Sequence, residues 1–106
     1  MNVKPVRPRA AARQDVLDAI DFYLAEASER VALDFVDALE SAYRHIGRAP
    51  STGSSRPAHE LNLPGLRAWP LGRFPYLVFY FEHADRIDVW RLLHTARDIP
   101  AWMQSD

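Results

Sequence analysis

Leu66-Arg67-Ala68-Trp69-Pro70-Leu71, Tyr76-Leu77-Val78-Phe79-Tyr80-Phe81 and Ile87-Asp88-Val89-Trp90-Arg91-Leu92-Leu93-His94 are three short runs rich in aromatic and β-branched residues. Gly72-Arg73-Phe74-Pro75 and Glu82-His83-Ala84-Asp85-Arg86 separate them, and both are turn chemistry. The stretch from Leu66 to His94 therefore predicts a three-stranded antiparallel meander. Its middle run is apolar at every position, so that strand is central and needs a cover on each face. One cover is the chain's own helices; the other is expected to come from a partner.

Working outward, residues 9 to 27 place Ala12, Val16, Ile20, Tyr23, Leu24 and Ala27 at spacings of three and four, with Asp15, Asp18, Asp21 and Glu26 off that stripe. This predicts an amphipathic helix, opened by Pro8. Ser28 is a natural N-cap for a second helix with the stripe Val31, Phe35, Val36, Leu39, Ala42, Tyr43 and Ile46, ended by Gly47 and blocked by Pro50. So short a connection makes the pair an antiparallel hairpin. Val3 to Arg7 reads as a leading strand. Arg48 to Pro57, with two prolines, one glycine and four hydroxyl residues, reads as a mobile surface loop. The fold class is α+β: a strand, a helical hairpin and a three-stranded sheet covered on one face, in a single domain over 1–106.

Composition narrows the function. The chain has 106 residues, no cysteine and a formal net charge of −1, which excludes disulfides and thiolate chemistry. The N-terminus lacks the apolar core of a signal peptide, and no apolar run approaches the ~20 residues needed to cross a bilayer. A cytoplasmic protein without membrane attachment is expected. Charge is uneven: +4 over residues 1–13, −6 over 14–46 and +3 over 47–77. A basic side of this kind attracts polyanions or an acidic partner. His45, His59, His83 and His94 share no metal-ligand spacing, and the serines cluster in the loop, so neither a metal site nor a serine nucleophile is expected. No cofactor is expected either. The chemistry that remains is cationic: Arg67, Arg73, Arg91, His94 and Arg97. Strict alternation along the strand puts Arg91 and His94 on opposite faces.

Two helices of this length, then Pro50-Ser51-Thr52-Gly53, Leu66-Arg67-Ala68-Trp69-Pro70-Leu71-Gly72-Arg73, Tyr76 to Phe81, and Leu93-His94-Thr95-Ala96-Arg97-Asp98-Ile99-Pro100 resemble the ParE branch of the ParE/RelE toxin superfamily. The resemblance covers nearly the whole chain, and its most specific part is the closing His-x-x-Arg-Asp-x-Pro. It implies the toxin of a type II toxin–antitoxin pair, active in plasmid stabilisation and neutralised by a ParD-like antitoxin, with operator DNA bound through the antitoxin. ParE-type toxins poison DNA gyrase, whereas RelE-type relatives cut messenger RNA on the ribosome.

RNA cleavage needs a base, a phosphate stabiliser and an acid. This chain has a single lysine, Lys4, far from the closing motif, and Ile99-Pro100 stand where a terminal tyrosine would follow. His94, Arg97 and Arg91 are the residues that would carry a ribonuclease reaction; gyrase poisoning needs no catalytic residue. A third reading is a non-toxic module that only binds antitoxin. Candidate partner contacts are Arg67, Trp69, Arg73, Phe74, Arg97 and Trp102. Trp69 precedes a proline, which marks its strand as an edge and suits an anchor. Arginines at such an edge also guard against stray pairing. The expected docking mode is an acidic amphipathic segment laid along the sheet, adding a strand to its edge.

Overall fold

The structure is a computed structural model, and it describes residues 3–99. Strand β1 (Val6–Pro8) leads into helix α1 (Ala10–Glu26) and helix α2 (Glu29–Arg48). A 3-10 turn (Pro50–Thr52) and a short helix α3 (Arg56–Glu60) lead to the meander β2 (Leu66–Leu71), β3 (Phe74–Glu82) and β4 (Ile87–His94). The sheet order is β1-β4-β3-β2, with β1 parallel to β4 and the other pairs antiparallel.

The meander and the hairpin lie where the sequence puts them, and the boundaries show why. β1 begins later than Val3 because the Lys4 N–H is taken by the Gly47 carbonyl at 3.0 Å. Pro8 closes β1 rather than opening α1. The Ile87 N–H donates to Pro5 and the Arg9 N–H to Val89, so odd-numbered backbone groups face β4 and the donor that Pro8 lacks would point outward. Ser28 caps α2, its side chain accepting from the Val31 N–H at 3.1 Å. Gly47 lies inside α2 rather than ending it. A Cβ there would stand 2.9 Å from the Lys4 carbonyl, so glycine is what lets the lead into β1 cross the helix.

The main core lies between hairpin and sheet: Phe35, Leu39 and Ile46 of α2 meet Tyr76, Val78 and Tyr80 of β3 and Ile87, Val89 and Leu92 of β4. On the far face Leu66, Ala68 and Phe79 are buried together with Ile99, flanked by Leu61 and Leu63. Much of the second cover is thus supplied by the chain itself, which corrects the expectation that a partner provides it.

The segment after α2 is a fastened strap rather than a loose loop. The Tyr80 hydroxyl donates to the Pro50 carbonyl at 2.6 Å, Arg67 donates to the Gly53 carbonyl at 2.7 Å, and Ser54 exchanges two backbone hydrogen bonds with Ala68. The edge of β2 is closed as a result. The outward Ala68 N–H goes to Ser54, the Leu66 N–H to Leu63, and Pro70 has none. Strand addition along β2, expected from the sequence, therefore lacks the free donors it requires.

Candidate functional site

Two open grooves gather the cationic residues, one on each side of the hairpin. The first, about 520 Å³, lies between α1 and β4. A β-bulge built on Trp90 shifts the β3–β4 register between Phe79 and Tyr80. Arg91 follows it opposite Phe79 and reaches round the edge of β4 to α1, where the guanidinium makes a two-pronged ion pair with Asp15 at 2.7 and 2.8 Å. Asp15 also accepts the Leu92 N–H at 3.0 Å, satisfying β4 where β1 has ended. His94 pairs with Tyr76 and packs edge-on to its ring at 5.1 Å, on the helix side of the sheet. The ladder from Arg91 to His94 is regular, Arg91 opposite Phe79 of the far-face cluster and His94 opposite Tyr76 of the main core, so the two start from opposite faces as alternation expects; only the long Arg91 side chain comes round the edge of β4 to the helical side.

The closing motif builds a self-contained turn. His94 donates its N–H to the Asp98 carboxylate at 2.9 Å, and the Asp98 N–H returns to the His94 carbonyl at 3.0 Å. The N–H groups of Ala96 and Arg97 both point to His94 Nδ1, at 3.1 and 3.2 Å. Two donors on Nδ1 require a lone pair there, so the ring is neutral with its proton on Nε2. Burial lowers the His94 pKa, and the charge of Arg97 lowers it further. Arg97 stands over this turn, 3.4 Å from the Tyr76 hydroxyl and 5.9 Å above the Phe22 ring. Burial raises the Tyr76 pKa, with Arg97 opposing.

The second groove, about 510 Å³, runs between the C-terminal half of α2 and β2. Trp69 lies flat on His45, ring centres 3.9 Å apart and 18° from parallel. His45 Nε2 meets Thr52 Oγ1 at 2.7 Å, and that hydroxyl spends its only proton on the Ala49 carbonyl, so Nε2 is the donor. Arg48 and Arg73 flank the stack over a floor of Ala38, Ala42 and Leu71, and no carboxylate lines the groove. Arg73 is exposed, 3.3 Å from Asp34 at the rim.

Of the residues expected from the sequence, the structure brings together Trp69 and Arg73 in one groove and Arg91, His94 and Arg97 beside the other. Arg67 holds the strap, and Phe74 packs against Tyr23 and Phe35 at 5.3 and 5.5 Å. Trp102 lies outside the described residues. Sequence reasoning missed Tyr76, His45 and Arg48. The Tyr76–His94 register was recoverable by pairing the two strands outward from their turn, but nothing local links His45 to Trp69. Among the described residues, no three His, Cys, Asp or Glu side chains converge to hold a metal ion.

No curated protein matches the sequence. A solved structure described as "Chromosomal ParDE TA system from P. aeruginosa" has the same fold, with TM-score 0.72, 20% identity, and coverage of 87% of this chain and 96% of that one. The family described as "ParE toxin of type II toxin-antitoxin system, parDE" matches over residues 6–99, from β1 through the His94 turn. A match that spans every strand and helix of the fold settles the matter: the chain belongs to the ParE toxin family of type II toxin–antitoxin systems.

Proposed function

We propose that this toxin inhibits DNA gyrase and is neutralised by direct contact with a ParD-like antitoxin, acting in the cytoplasm as a single domain over 1–106. Operator DNA would be bound through the antitoxin. Family membership supports the assignment, and the observation that carries the choice of target is the state of His94. Its Nδ1 is consumed by two backbone donors, and its Nε2 carries the proton, so the one histidine near Arg97 is no base. Arg91 is neutralised by Asp15, and burial raises the pKa of the Tyr76 hydroxyl beside Arg97, so among the described residues neither equips Arg97 for cutting RNA. A toxin that works by binding needs none.

For the antitoxin, the α2–β2 groove is the best receptor. Its walls are cationic, its floor is apolar, and the Trp69 and His45 rings form a flat surface. An acidic segment carrying apolar side chains fits this chemistry, as a groove contact without strand addition. Arg97 remains a candidate contact for the target.

Expression of the chain alone in bacteria tests the proposal. Loss of supercoiling with protein-linked, cleaved DNA is the expected result. Cut ribosome-bound message with normal supercoiling would replace gyrase by RNA as the target, and normal growth would leave a module that only binds antitoxin.

A further inference from the structure

The apolar surface left uncovered lies on the hairpin rather than on the sheet. α1 turns Ala12, Val16, Ala19 and Tyr23 inward, yet Leu17 and Leu24 stand 54% and 49% exposed on its outer side. They are seven residues apart with half-buried Ile20 between them, the spacing of a helix–helix seam. Leu33 of α2 is 56% exposed. A crevice of about 280 Å³ between the helices, lined by Pro8, Arg13, Val16, Leu17, Leu39 and Tyr43, continues the stripe. A helix apolar on both sides is a helix made to be covered twice.

Charge along the seam selects the occupant. Arg13 stands at one end of the stripe, and Glu29, just past the end of α1, at the other. A uniformly acidic segment meets Asp21 and Glu29, and a uniformly basic one meets Arg13, so each is repelled at one end. An antiparallel copy of the same helix is complementary at both. About a two-fold axis Leu17 of each copy falls on Leu24 of the other, each Arg13 approaches the other copy's Glu29, and the helix dipoles oppose. We propose that the free toxin pairs with a second copy of itself through the outer faces of α1, by a Leu17–Leu24 seam closed by Arg13 at both ends. The assignment does not depend on the target or the antitoxin. The seam is about 25 Å long at 1.5 Å per residue, short of a standard interface, so the dimer is a micromolar one.

The same geometry sets Asp21 of each copy beside the axis, where like charges oppose pairing. Sedimentation equilibrium on the purified chain, up to about 100 μM, reads the association directly. The wild type is expected to dimerise in this range. Leu17→Glu, at an exposed position that leaves the circular dichroism spectrum unchanged, weakens pairing at least ~30-fold, and Asp21→Asn tightens it. Arg13→Glu weakens it, and the double variant Arg13→Glu/Glu29→Arg restores it. A wild-type chain that stays monomeric overturns the proposal, including the case where Leu17→Glu instead abolishes antitoxin binding. A dimer indifferent to Leu17→Glu in a folded chain also overturns it, as does a double variant no better than Arg13→Glu alone.

Discussion

Single side chains hold the regions that the sequence alone leaves loose. Gly53 is buried against Tyr80, whose hydroxyl fastens Pro50; a Cβ on Gly53 would stand 2.9 Å from Tyr80 Cζ and 3.1 Å from the Ala68 carbonyl. Neither a ring locked in the core nor a sheet carbonyl yields cheaply. Gly53→Ala is expected to lower stability by about 2 kcal/mol in urea unfolding, with Tyr80→Phe costing about 1 kcal/mol through its lost hydrogen bond. His94 makes a pH prediction. Its folded pKa is lowered, so as pH falls below about 6.5 the unfolded chain takes a proton that the native turn refuses, and stability falls until the native ring also titrates. Asp88, lowered by its ion pair with Arg9, acts in a separate window below about 3.8, where stability falls with pH again. His94→Asn keeps an acceptor for the Ala96 and Arg97 N–H groups and should flatten the upper window in pH-dependent unfolding while leaving the lower one. An unchanged upper window would show that His94 is not its source.

At the level of elements, the two long helices differ in kind. Apart from exposed Leu33, α2 is a one-sided helix, with Phe35, Leu39, Ala42 and Ile46 buried and Asp37, Glu40 and Arg44 outward. It carries its own start signal at Ser28. Ser28→Ala should cost about 1 kcal/mol and fray the first turn of α2, detectable as faster amide exchange at Val31 and Ala32. α1 has no side-chain cap and apolar residues on two sides, so its position rests on tertiary ties at each end. Arg9 clamps Asp88 at 2.7 and 2.9 Å where α1 begins, and Asp15 clamps Arg91 nearly two turns further on. Among the strands, two open ladders are shut by different devices: Ser54 and Pro70 along β2, and Asp15 on β4 where β1 has ended.

Over the whole molecule, the charge read along the chain is partly spent in ion pairs between distant segments, Lys4 with Glu82, Arg9 with Asp88 and Arg91 with Asp15. The cationic α2–β2 groove lies on one flank, and the acidic outer face of the hairpin on another. Trp69→Ala and Arg73→Glu should each weaken antitoxin binding about tenfold or more in a titration, with Arg73→Glu also flattening its salt dependence, while both leave the free toxin folded and toxic. Equal binding by both variants would move the antitoxin off this groove.

The sequence by itself determined the order and type of the elements, because periods of two and 3.6 and the turn and cap residues are local signals: the meander from Leu66, the hairpin around Ser28 and the edge position of Trp69 were all legible. The family was legible for the same reason, since its closing motif is a continuous run whose backbone and side chains bond among themselves. What only the tertiary structure decided were the relations between distant residues. Arg91 came round the end of the β1 pairing to Asp15, the strap closed the β2 edge, Ile99 and Leu61 covered Phe79, and His45 met Trp69. Each depends on a register or a chain crossing set by packing over dozens of residues, for which no spacing in the sequence is a code.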